Sequence, residues 1–201
     1  MSKENFNSYP ELMQSVASNI RIADTYLAKG KLDLASSHYQ RTDGFDLTAA
    51  EMRPNEHFPK PTPIDREYFS SLVHAWVSTG IIALHNGDQQ QAQMRFENAL
   101  ELWDKTIGFF QTVRHPTLDA RSYENLAIAN LWIGKDIKAA RYMRSAYIES
   151  IGKKRDFTRF RLLAAAPQPP DGIEMIMSII DDIKAPAAGS AHLTGSTKLP
   201  N

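Results

Sequence analysis

Three glycines constrain this chain more than any other feature: Gly30, Gly87 and Gly134 are each followed, at the same offsets, by an alanine and then by a large side chain. The pairs are Ala35 with Tyr39, Ala92 with Phe96, and Ala139 with Met143. Glycine ends a helix readily because it takes a left-handed conformation that other residues avoid. Apolar residues at three- and four-residue steps on both sides of each glycine therefore predict helix, turn and helix, three times over. The middle copy is the fullest. In VHAWVSTGIIALHNGDQQQAQMRFENALELWDKT, Trp76, Gly80 and Ala83 recur at helical spacing, and Ala92, Phe96 and Ala99 form a small-large-small stripe that can receive them. Trp76 is expected in the core of that contact.

The slots Trp76, Gly80, Gly87, Ala92, Phe96 and Ala99 resemble the signature of the tetratricopeptide repeat. The resemblance implies an all-α fold, an antiparallel helix-pair solenoid with a right-handed superhelix and a C-terminal capping helix. Repeats would cover about residues 16–49, 73–106 and 120–153, inside one domain spanning 1–184. Successive glycines lie farther apart than the roughly 34 residues of an uninterrupted repeat. Between the first two, the excess falls in residues 43–64, where Pro54, Pro59, Pro61 and Pro63 forbid continuous helix. A short helix over Thr48–Arg53 fits inside this insertion, and Asp65 is the expected N-cap of the helix that follows. Between the second and third glycines, Leu102 to Val113 is expected to lengthen a helix that His115-Pro116 then ends.

The chain opens on a helix from Glu11 to Lys29 with Leu12, Val16, Ile20, Ala23 and Leu27 on one stripe. After the third copy, KKRDFTRFRLLAAA predicts a helix carrying Phe157, Phe160 and Leu163 on one side, ended by PQPPDG. A last helix over Ile173–Lys184 shows Ile173, Ile176, Met177, Ile180 and Ile183 in a stripe too apolar to leave in water. At about 12 residues it is too short to stand alone, so docking on the repeats is expected. Residues 185–201 are small and polar without periodicity, and are expected to be disordered.

Charge gives no global steer, since 23 Lys and Arg balance 23 Asp and Glu. With 0 cysteines, disulfides, thiolate chemistry and cysteine-based zinc sites are absent. No apolar run approaches the roughly 20 residues of a membrane span, and no signal-peptide core opens the chain. A cytoplasmic protein without membrane contact is expected, and nothing in the sequence sets its oligomeric state. His74 and His85 share a helical face, but at about 16 Å apart along the axis they cannot hold one ion. GSAHLTGSTK misses the spacing of a phosphate-binding loop, and Asp181 and Asp182 project in different directions. No catalytic constellation emerges, so neither enzymatic activity nor a cofactor nor a metal is expected.

What remains is binding. In the family resembled, the first helix of each pair lines a concave groove. The implied groove positions are Ile20, Asp24 and Leu27 in the first copy, then His74, Val77, Ile81, Leu84 and His85 in the second. In the third they are Arg121, Glu124, Ile128, Leu131 and Trp132. The family's clamp for chaperone tails needs Lys, Asn and Arg at several such slots, where this chain has Ile20, Val77 and Glu124. The expectation is an adaptor or chaperone whose protein or peptide partner docks in a largely apolar groove. The alternative is nucleic-acid binding through Lys153, Lys154, Arg155, Arg159 and Arg161, with Phe157 and Phe160 available to stack on bases.

Overall fold

A computed structural model describes residues 9–43, 63–110, 119–149 and 157–184. Every described element is an α-helix: α1 (Tyr9–Ala28), α2 (Leu32–Gln40), α3 (Pro63–His85), α4 (Gln89–Phe110), α5 (Ala120–Trp132), α6 (Asp136–Ile148), α7 (Thr158–Ala164) and α8 (Ile173–Lys184). The expected helix over Thr48–Arg53, the break at His115-Pro116, the cations Lys153, Lys154 and Arg155, and the tail 185–201 lie outside the described residues.

The three turn glycines take φ of 69°, 80° and 72°, and the chain closes identically at each. Gly30, Gly87 and Gly134 donate to the carbonyls of Leu27, Leu84 and Leu131. The residues after them, Lys31, Asp88 and Lys135, donate to Tyr26, Ala83 and Asn130. This double closure satisfies carbonyls that the last helical turn leaves open. It also fixes the angle at which α2, α4 and α6 return along α1, α3 and α5. Ala35, Ala92 and Ala139, together with Tyr39, Phe96 and Met143, are fully buried as the repeated offset predicts.

The α3 helix is the hub. Its Leu72, Ala75 and Ile82 belong to one core with Leu12, Val16, Ala23 and Leu27 of α1 and Tyr39 of α2. Its Val73, Val77, Ile81 and Leu84 belong to a second core with residues of α4 through α8. A helix apolar on both flanks is buried on both flanks. Arg95 of α4 adds a two-pronged ion pair to Asp43, at 2.6 and 2.7 Å, tying the second pair to the end of the first. Asp119 caps α5 by accepting from the Ser122 N–H at 2.7 Å.

Two expectations change, at the start of α3 and at Trp76. Because α3 starts at Pro63, Asp65 lies in its first turn rather than at its cap, and the insertion ends before Pro63. Proline suits that place, since its missing N–H would have had no helical partner. Trp76 is only half-buried against the second core, and its place at the contact is taken by Gly80 and Phe96. A Cβ on Gly80 would lie 3.0 Å from the Phe96 ring, so the bare backbone is what admits the ring. The apolar stripe of α8 docks as expected: Ile173, Ile176 and Ile180 are buried in the second core, and α8 packs on α6 and α7. No helix among the described residues is long and apolar enough to cross a membrane.

Candidate binding trough on the α1, α3 and α5 face

Where α1, α3 and α5 meet, six side chains from five helices form one largely buried polar network. Asp24 of α1 accepts from the Tyr39 hydroxyl at 2.5 Å and lies 2.8 Å from His74 Nε2, both on its Oδ1. On the other side of the imidazole, Arg159 Nη1 of α7 sits 3.1 Å from His74 Nδ1. The same Nη1 donates to Asn125 Oδ1 at 2.6 Å, while Nη2 reaches Glu124 Oε1 at 2.8 Å and Nε donates to it at 3.2 Å. A guanidinium only donates, so His74 Nδ1 must be the acceptor and the ring proton must sit on Nε2, pointing at Asp24.

The electrostatics also favour a neutral ring. Burial depresses the His74 pKa, and the Arg159 charge depresses it further against the opposing pull of Asp24, so the ring is neutral at pH 7. For Asp24, burial raises the pKa, but His74, the Tyr39 hydrogen bond and Arg159 together outweigh it and hold the carboxyl well below the usual range. Burial and Asp24 push the Tyr39 phenol far up. The donors and acceptors around His74 are thereby set, while Asn125 Nδ2 is buried without a hydrogen-bond partner. Both His74 nitrogens are engaged, Nε2 by Asp24 and Nδ1 by Arg159.

Beside the network opens a cleft of about 570 Å³ between α1, α3 and α5. Ala17, Ile20 and Ala28 supply apolar wall, while Arg21, Lys29 and Arg121 supply cations. Asp24 forms part of the floor, with its Oδ2 3.7 Å from Arg121 Nη2. A second pocket of about 210 Å³, lined in part by Met13, Val16 and Tyr68, shares Ala17 and Ser71 with the first. Together they form a trough along α1. Among the described residues no three His, Asp or Glu side chains come together as a metal site requires.

The predicted groove positions separate into three groups. Val77, Ile81, Leu84, Ile128 and Leu131 are buried in the second core, in the company of Phe157, Phe160 and Leu163 from the α7 region, so they present no open surface. Ile20 and Leu27 are buried in the first core, although Ile20 also borders the cleft. Trp132 turns toward α4, its ring 5.5 Å from that of Phe96, and His85 is partly buried with Nδ1 unpartnered. Asp24, His74 and Glu124 are brought together by the network, and Arg121 is exposed at the trough. Arg159, counted by the sequence reading among cations for phosphate, is buried and paired with Glu124, whereas Arg161 is exposed.

Sequence reasoning read Tyr39 as a packing residue only and passed over Asn125, Arg21, Lys29 and Ser71. The one signal for the network was an arginine set between Phe157 and Phe160 in an apolar stripe, which needs a buried acid to be stable. No protein-family model, no curated protein and no solved structure matches this chain.

Proposed function

We propose that this chain is a non-enzymatic protein-interaction module, an adaptor or chaperone of the tetratricopeptide-like kind, that holds a partner segment in the trough along α1. The repeat reading is supported by three helix pairs closed by one turn geometry and by the packing of α1 on α3 and α3 on α5. In a right-handed solenoid of such pairs, those first helices share the inner surface. The observation that carries the function is the trough itself: an open cleft along α1 with Asp24 of the polar network in its floor and Ala17, Ile20 and Ala28 in its wall. The partner-facing region is thus narrower than the whole groove, because α7 already covers the apolar positions of α3 and α5. The reading also places the protein in the cytoplasm.

A peptide library panned against the full chain tests this. Ala17 is exposed and borders both pockets, so Ala17→Trp fills the trough without touching the core. Enriched peptides should bind the parent chain and lose binding to Ala17→Trp. An absence of enrichment, or peptides indifferent to Ala17→Trp, would contradict the proposal.

A further inference from the structure

The trough is polarised along its length. Its smaller end is mainly apolar, with the buried Val16 and Tyr68 as its floor and Met13, Ala17, Gln14 and Ser71 around them. Its larger end presents Arg21, Lys29 and Arg121 against the single acid Asp24. In a chain with 23 charges of each sign, that is a concentrated local excess. Asp24 offsets it only in part, one negative charge against three positive, with its Oδ2 3.7 Å from Arg121. From Val16 to Arg21 the rise along α1 is about 7.5 Å, and an extended chain covers about 3.3 Å per residue. A ligand crossing from one end to the other therefore changes character within two to three residues.

We infer that the trough recognises an extended, acidic peptide segment of a partner protein, with one apolar anchor side chain placed about two to three residues from its first Asp or Glu. The anchor enters the Met13, Val16 and Tyr68 end, and the carboxylates meet Arg21, Lys29 and Arg121. Ser71, at the junction, is positioned to hydrogen-bond the segment's backbone. Charge complementarity selects the acidic class, while the apolar end and the acid in the floor disfavour a uniform polyanion such as nucleic acid. This deepens the binding role proposed above and rests on it.

The test uses the full chain and a dye-labelled synthetic peptide with Phe-Ser-Gly-Glu-Asp-Glu set between Ser-Gly repeats. Its comparators are the same peptide with Gln-Asn-Gln for the acids, one with Ser for Phe, and a thymidine oligonucleotide. Binding by anisotropy should be strongest for the first peptide and weaken with salt. Arg21→Glu and Lys29→Glu, at exposed positions that should leave the melting temperature in place, should each weaken it about three- to tenfold, and so should Arg121→Gln, which sets no second acid beside Asp24. Arg161→Glu, exposed but outside the trough, should not. Equal binding of the neutral peptide, equal loss with Arg161→Glu, or tighter binding of the oligonucleotide would overturn the inference. If the neutral peptide binds and Ala17→Trp still abolishes it, the acidic specificity falls while the trough stands. If Ala17→Trp leaves all binding intact, the trough itself falls.

Discussion

Arg159 donates to Nδ1 of His74 across 3.1 Å, and by doing so fixes a neutral imidazole whose other nitrogen holds Asp24. One contact between α7 and α3 thus sets the protonation of a side chain that reaches on to α1. It also ties α7 to the polar network that α1, α3 and α5 share. Because Arg159 and Glu124 are both buried, removing one leaves the other without its counter-charge.

Arg159→Met should therefore cost about 3–5 kcal/mol, a large share of the roughly 5–15 kcal/mol available to a domain of this size. Adding Glu124→Gln to the same chain should recover part of the loss, since the orphaned charge is then gone. Urea unfolding of the two single variants and the double variant checks this. A double variant as unstable as the sum of its parts would show that the pair is not coupled.

Acid should weaken the fold in two stages. His74 has a folded pKa below its ordinary 6.5, so the unfolded chain binds more protons and stability falls as pH drops below about 6.5. The groups facing it that set this are Arg159, Asp24 and Arg121. Asp24 has a folded pKa below its ordinary 3.8, so its contribution, present above that value, is lost as pH falls further. At the other extreme Tyr39, raised above its ordinary 10.0, contributes stability below that pH which disappears as pH climbs past it. Melting temperature against pH should show the first decline, and His74→Gln should flatten it. An unchanged slope in His74→Gln would mean another group is responsible.

The pairing of helices was legible in the sequence because its causes are local. A glycine with positive φ, an alanine and a large residue at fixed offsets specify a turn and the contact beside it, and Gly30, Gly87 and Gly134 all behave so. The network was not legible, because it joins residues that the fold alone brings together. Arg159 lies 34, 35 and 85 positions from Asn125, Glu124 and His74. In sequence it is one more cation beside Lys153, Lys154 and Arg155. The aromatic slots misled for a different reason. Trp76 and Trp132 sit on the expected helices, but small rotations about a helix axis decide whether a ring points into a groove, a core or a neighbouring helix. Trp132 was expected to face the groove and instead meets Phe96.

Gly80 and Phe96 offer a test of the helix contact that local turn chemistry cannot mimic. Gly80→Ala places a methyl 3.0 Å from the ring and should destabilise by about 1–3 kcal/mol. Combining it with Phe96→Leu should give a smaller total loss than the two single changes summed, because the trimmed side chain vacates the space the methyl needs. Additivity in calorimetric or chemical unfolding would indicate that the two residues do not touch.

The C-terminal helix should behave as part of the core. Ile176 is fully buried, so Ile176→Ala should cost about 2–5 kcal/mol. Met175, its neighbour on the exposed side, should tolerate alanine within about 0.5 kcal/mol. Equal effects at both positions would place α8 off the second core.

Backbone NMR of the full chain, titrated with a peptide enriched by panning, tests the binding trough most directly. The account predicts shifts at Ala17, Arg21, Ser71 and Arg121, which belong to α1, α3 and α5, with Ile137 on the outer face of α6 unchanged. Shifts centred on α4 or α6 with α1 silent, from a peptide that demonstrably binds, would contradict it.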